Sequence, residues 1–176
     1  MKNNIYLIGF MGTGKTSIGK KLAEILNWTF VDTDKEIEKM LQISISEIFD
    51  KYGEEEFRKT ESTVLANIAN RRNLVVSTGG GIVLSYKNVE KMKESGFIVT
   101  LIARPEVICE RLKSDKTRPL LAYLSDSEKL EEIKRLIFMR AGLYIKGDYI
   151  IDTSDIDPLS AAENIITFYN ENKINN

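Results

Sequence analysis

The sequence contains no histidine. That removes the commonest general base and the commonest metal ligand together. It has one cysteine, Cys109, so neither an internal disulfide nor a cysteine metal site can form. Cys109 lies in a helical-looking stretch and reads as a small, half-buried apolar residue. No apolar run approaches the ~20 residues of a membrane-crossing helix. Charge of one sign is not in excess either. The 25 basic and 26 acidic side chains leave a net charge of −1, which offers no broad surface to nucleic acid or membrane. The N-terminus lacks a signal-peptide pattern, and its apolar run reads as a first strand. A cytoplasmic protein is expected, binding small molecules as a monomer, with no nucleic-acid and no membrane partner.

What is present fits one globular domain. The chain has 176 residues, of which 43% are hydrophobic, enough to bury a proper core. Its most informative stretch is Gly9-Phe10-Met11-Gly12-Thr13-Gly14-Lys15-Thr16. This fits G-x-x-x-x-G-K-[ST], the phosphate-binding P-loop. Ile5–Ile8 before it is a short apolar, β-prone run. Ile18, Leu22, Ile25 and Leu26 after it recur at helical spacing. The glycines therefore lie between a strand and a helix N-terminus, where backbone N–H groups wrap an anionic phosphate chain. Lys15 then reaches the β- and γ-phosphates, and Thr16 offers a hydroxyl to Mg²⁺. The first expected ligand is a nucleoside triphosphate.

Short β-prone runs alternate with longer helical ones. Strands are expected at Ile5–Ile8, Thr29–Val31, Leu74–Ser77, Phe97–Ile102 and Tyr149–Ile151. Helices are expected near 15–26, 34–41, 46–51, 55–70, 87–94, 105–112, 128–143 and 159–170. Ser44-x-x-Glu47 and Ser125-x-x-Glu128 have the form of capping boxes. Pro105 and Pro158 suit first-turn positions, and Asp157 suits a cap. The alternation argues a three-layer α/β fold with a mostly parallel sheet. Two excursions break the rhythm: a strandless helical stretch from Asp34 to Arg72, and a polar, basic segment from Lys113 to Pro119. Such excursions in compact domains are often lids or binding modules.

Several constellations carry chemistry. Asp32-Thr33-Asp34 closes the second strand, and residues two apart on an extended segment share a side. Both carboxylates are then expected beside the P-loop, one for Mg²⁺ and the other for a substrate hydroxyl. The competing role for Asp34 is capping the next helix. Leu74-Val75-Val76 runs into Ser77-Thr78-Gly79-Gly80-Gly81 with no acid at its end. Loss of a water-activating acid favours transfer to a bound acceptor over hydrolysis, and the glycines offer bare N–H groups to a ligand. In Phe57-Arg58-Lys59-Thr60-Glu61, Arg58 and Glu61 share a helix face. They make either a surface ion pair or a guanidinium fork for a carboxylate, oriented by Glu61. Arg140 with Tyr144 is a second such site. Arg118 can close over the phosphates.

Taken together these motifs resemble shikimate kinase. The phosphate loop, Asp32-x-Asp34, Phe57-Arg58-x-x-Glu61, Gly79-Gly80-Gly81, Arg118-Pro119-Leu120-Leu121 and Arg140-x-x-x-Tyr144 occur in that family's order and rough spacing, across nearly the whole chain. The resemblance implies a P-loop kinase fold: three layers, α/β/α, around a five-stranded parallel sheet in order 2-3-1-4-5. It implies a substrate-binding helical segment at about 33–61 and a mobile lid at about 112–125 within a single domain. It implies transfer of the ATP γ-phosphate to the 3-hydroxyl of shikimate, in chorismate and aromatic amino-acid synthesis, with Mg²⁺ as cofactor. By matching position, Asp34 binds shikimate hydroxyls and acts as base. Arg58 and Arg140 grip the carboxylate, Gly79, Gly80 and Gly81 line the site with Gly80 donating its N–H, and Phe49 and Phe57 wall the pocket. Thr16 and Asp32 serve the metal. Gly12, Thr13, Gly14, Lys15, Thr16 and Ser17 bind ATP, Arg111 lies near the adenine, and Arg118 is the lid arginine.

Two rivals remain at this stage. Another small P-loop kinase, for gluconate or a nucleoside monophosphate, shares the loop, but a nucleotide acceptor needs a base pocket rather than paired carboxylate-binding arginines. A nucleotide-gated binding protein would bind nucleotide and show no acceptor-dependent ADP release.

Overall fold

The structure is a computed structural model that describes residues 4–113, 121 and 124–174. Its centre is strand β1 (Asn4–Gly9), in which every residue is buried. A strand covered on both faces reads as an unbroken apolar run, as Ile5–Ile8 does. Alternate residues serve opposite layers. Ile5 and Leu7 join the core under helices α1 (Lys15–Leu26) and α7 (Pro158–Ile174). Tyr6 and Ile8 join the core on the other face.

Five parallel strands form the sheet in the order β2-β3-β1-β4-β5, with β2 Thr29–Asp32, β3 Leu74–Ser77, β4 Gly96–Ile102 and β5 Tyr149–Asp152. This is the expected order. Its register sets Asp32 beside Ser77 and Ser77 beside Leu7. The C-terminal ends of three strands thus meet around the loop that leaves β1, the crevice where open α/β sheets take ligands.

The second face is covered by α2 (Thr33–Leu41), α3 (Ile45–Ala69), α4 (Tyr86–Ser95), α5 (Pro105–Arg111) and α6 (Asp126–Tyr144). Both expected capping boxes are formed, Ser44 with Glu47 and Ser125 with Glu128. The two helices expected at 46–51 and 55–70 are both present within α3, on either side of a kink at Gly53 with φ 78° and ψ 173°. That backbone state is open essentially to glycine alone. A short 3₁₀ turn at Ile82–Leu84, unanticipated from sequence, follows the triple glycine.

The expected geometry of Asp32 and Asp34 needs correction. The strand stops at Asp32, and Asp34 lies in the first turn of α2. Asp32 is itself the helix cap: its Oδ1 accepts from Asp34 N at 3.1 Å and from Lys35 N at 3.4 Å. An aspartate able to satisfy orphan N–H donors starts a helix wherever the strand can end.

Candidate active site

The phosphate loop is closed on itself. Lys15 is 8% exposed, and its Nζ donates to Gly9 O at 2.9 Å and Phe10 O at 2.8 Å. Gly14 precedes α1 in a left-handed conformation, φ 91°, which lets the loop turn directly into the helix N-terminus. Thr16 Oγ1 donates to Asp32 Oδ2 at 3.2 Å and lies 3.4 Å from Ser77 Oγ. One hydroxyl and one carboxylate, both hard oxygen donors, therefore stand together at the loop's exit. That donor set suits Mg²⁺, which keeps several waters and takes its remaining ligands from phosphate.

Beside the loop lies a cleft of about 390 Å³, lined in part by Gly12, Thr13, Gly14, Ser17 and Arg111. Arg111 is anchored by Nη2 to Thr153 O at 2.7 Å and by Nη1 to Gly12 O at 3.2 Å. Ile18, Thr153, Ile156 and Pro158 complete the wall. The last three were missed as contacts from sequence. Their only signal was a position after the last strand, on the same edge as the P-loop.

A second, smaller pocket of about 80 Å³ gathers Asp34, Phe49, Phe57, Arg58, Gly79, Gly80, Gly81 and Arg140, every residue expected for the acceptor, with Glu61, Met11 and Ile45. Met11 and Ile45 carried no distinguishing signal. Met11 occupies a variable position of the loop motif, and Ile45 looks like any first-turn apolar residue. The Phe49 and Phe57 rings lie 4.8 Å apart, and the Arg58 guanidinium sits 5.0 Å from the Phe57 ring centre. Arg58 is braced between two acids. Nη1 donates to Glu61 Oε2 at 2.9 Å, and Nη2 to Glu54 Oε1 at 3.0 Å.

The Arg58–Glu61 pair is no surface bridge, because the Glu61 side chain is only 1% exposed. Burial raises its carboxyl to about 7, against the pull of the Arg58 charge and with a further push from Asp34.

The triple glycine serves chiefly as clearance. A Cβ on Gly79 would lie 2.7 Å from Asp34 Oδ1 and 2.8 Å from Glu61 Oε1, and one on Gly81 would strike the Arg58 guanidinium. The expectation of three bare donors is also corrected. Gly79 N–H is used, donating to Thr33 Oγ1 at 2.9 Å. The N–H groups of Gly80 and Gly81 make no hydrogen bond among the described residues. Gly80 also joins the two sites, since a Cβ there would lie 3.4 Å from Met11 N in the phosphate loop. A phosphate chain in the loop and a hydroxylated carboxylate in the small pocket would share that wall. Arg118, and most of the lid expected at 112–125, lie outside the described residues.

A family model described as shikimate kinase matches residues 11–170. The chain is 46% identical over 166 residues to the shikimate kinase of Caldanaerobacter subterraneus subsp. tengcongensis, covering 94% of this chain and 95% of that protein. It is 45% identical over 168 residues to that of Pelotomaculum thermopropionicum, covering 96% of each. Among solved structures, the shikimate kinase from Acinetobacter baumannii in complex with shikimate matches with a TM-score of 0.91 and 37% identity, covering 97% of this chain and 94% of that one.

Proposed function

Because this chain belongs to the shikimate kinase family, we propose that it transfers the γ-phosphate of ATP to the 3-hydroxyl of shikimate. The products are shikimate 3-phosphate and ADP, within chorismate and aromatic amino-acid biosynthesis. The observation that carries this reading is the contact between two unlike sites. A pocket holding two arginines, an aspartate and leftover backbone N–H groups adjoins a phosphate loop across Gly80. A small polyhydroxylated carboxylate matches the first, and ATP matches the second.

Each side chain then has a task. Lys15 exchanges the Gly9 and Phe10 carbonyls for the β- and γ-phosphates. Thr16 and Asp32 would hold Mg²⁺, which would neutralise charge on the phosphates. Arg58 and Arg140 clamp the acceptor carboxylate, with Gly80 N–H as a further donor. Asp34 accepts hydrogen bonds from the acceptor hydroxyls and takes the proton of the attacking one. Phe49 and Phe57 shield the pocket from water. Arg111 lies against the adenine, and Arg118 meets the charge on the transferring phosphoryl group. Phosphoryl transfer asks mainly for alignment and charge stabilisation, so a chain without histidine is equipped for it. The protein works as a cytoplasmic monomer.

The test is ADP release from Mg-ATP with shikimate, quinate, gluconate and nucleoside monophosphates in parallel. Stimulation by shikimate above all others is expected. Stimulation by gluconate or a nucleotide instead would reassign the acceptor.

A further inference from the structure

The loop that leaves β5 is tied to the phosphate loop through one side chain. Thr153 is 1% exposed. Its hydroxyl lies 2.8 Å from Thr13 O and 3.1 Å from Ile102 O. Ile102 O already receives the Thr153 N–H at 2.8 Å, so the hydroxyl proton goes to Thr13 O. Thr13 O has no other hydrogen-bond partner among the described residues. The Thr153 carbonyl in turn accepts from Arg111 Nη2 at 2.7 Å, and Arg111 Nη1 donates to Gly12 O at 3.2 Å. Two consecutive carbonyls of the phosphate loop, Gly12 and Thr13, are thus held by side chains 99 and 140 residues further along the chain.

We propose that Thr153 is a positioning residue for ATP, whose hydroxyl fixes the Thr13–Gly14 peptide and with it the direction of the Gly14 N–H. The inference rests on the reading of the loop as the ATP site and adds a residue to it. Thr13 O and the Gly14 N–H belong to one planar trans peptide and point in opposite directions. With the oxygen turned onto Thr153, the N–H is directed to the other side. It makes no hydrogen bond among the described residues, and it stands at the N-terminus of α1. It is left as a donor to a phosphate oxygen. Rotating the peptide exchanges the Gly14 φ of 91° for a negative value, and glycine takes both. Rotated, it would put a carbonyl oxygen where the N–H stands, against an anion. The preceding peptide is held separately, at its oxygen by Arg111 and at its N–H by Phe10 O at 3.4 Å. The Thr153 hydroxyl therefore acts on one peptide and decides which of its groups the phosphates meet. Thr153 also lines the larger cleft, so a role confined to that wall is the alternative to be separated.

The test is Thr153→Val, which removes the hydroxyl and keeps the branched shape, beside Thr153→Ser, which keeps the hydroxyl. Steady-state kinetics give the KM for ATP and for shikimate, alongside the melting temperature. Inhibition constants against ATP are measured for inorganic tripolyphosphate, which carries only the phosphate chain, and for adenosine, which carries none. Loss of the one donor to a buried carbonyl is expected to raise the ATP KM and the tripolyphosphate constant about 10-fold in the valine variant. The adenosine and shikimate constants should stay close to wild type, and serine should restore most of the loss. Thr153→Ala, read in the same way, covers a valine variant that does not fold. An unchanged ATP KM overturns the proposal. So does a rise for adenosine equal to that for tripolyphosphate, which marks a residue of the cleft wall alone. A serine variant as impaired as valine, or a rise in every constant with a lower melting temperature, marks a packing role and overturns it too. Wild-type protein that releases no ADP from Mg-ATP overturns both this inference and the reading of the loop. An active wild type with an unaltered valine variant overturns the inference alone.

Discussion

Arg58 Nη1 donates to Glu61 Oε2 at 2.9 Å, and the two partners sit in unlike surroundings: Arg58 is 25% exposed and Glu61 1%. The acid is buried and the guanidinium is the more exposed partner, and both line the small pocket. This inequality has a thermodynamic consequence. The Glu61 carboxyl stands at about 7 in the folded protein against 4.5 for an ordinary glutamate, so the folded state holds its proton more tightly. Its stabilising contribution is full below the unfolded value and is lost as pH rises through about 7.

Stability relative to Glu61→Gln should therefore increase as pH falls from about 8 to about 5, by up to ~3 kcal/mol at ~1.4 kcal/mol per unit. Urea unfolding of both proteins across that range is the measurement. A difference that does not vary with pH would mean Glu61 titrates as an ordinary exposed acid.

Arg58→Lys keeps the charge and loses the fork. Lysine has no planar set of donors with which to meet Glu54, Glu61 and a substrate carboxylate at once. Shikimate KM should rise ~10-fold or more, while ATP KM changes little. Parallel rises in both constants would place Arg58 in a general structural role.

The two acids are separable because one of them caps a helix. Asp34→Asn should lower kcat ~10²-fold or more with ATP still bound, in the range for a lost acid–base group. Asp32→Asn preserves the cap of α2, since asparagine caps as well as aspartate. It should instead raise the Mg²⁺ concentration needed for half-maximal rate, with little change in melting temperature. Titrating rate against Mg²⁺ in both variants distinguishes the roles. Identical responses would remove the division of labour.

Gly81→Ala and Gly9→Ala should fail in different ways. The new Cβ at Gly81 meets the far end of the Arg58 side chain, which can swing aside. Shikimate KM should rise while the fold persists. The new Cβ at Gly9 meets the Leu101 backbone carbonyl, at φ 143°, where nothing can swing. That variant should lose folded protein. Melting curves with kinetics on the soluble fraction check both, and a destabilised Gly81→Ala would show that Arg58 cannot relocate.

The phosphate loop, the five strands and both capping boxes were legible in the chain. Each signal lies within a few neighbouring residues and is set by local backbone chemistry. The resemblance carried further, to the sheet order and to the acceptor residues that now line one pocket. Local reasoning failed on the placing of one cap. Asp34 was weighed as the cap of the next helix, but Asp32, the last residue of β2, takes that role by accepting from the N–H groups of Asp34 and Lys35.

What the sequence by itself determined is which groups are available: a glycine-rich loop with its lysine, two arginines, paired acids, and no histidine. What only the tertiary structure decided is their state. Glu61 was visible as a partner of Arg58, but its burial and raised carboxyl depend on elements distant in sequence. Gly79 N–H is consumed by Thr33, 46 residues away, and Gly80 O by Tyr144, 64 residues away. Arg111 is anchored on Thr153, 42 residues on. The reason is range: loop and helix signals act between neighbours in the chain, whereas desolvation and hydrogen-bond pairing act between neighbours in space, and the sheet order β2-β3-β1-β4-β5 chooses those neighbours.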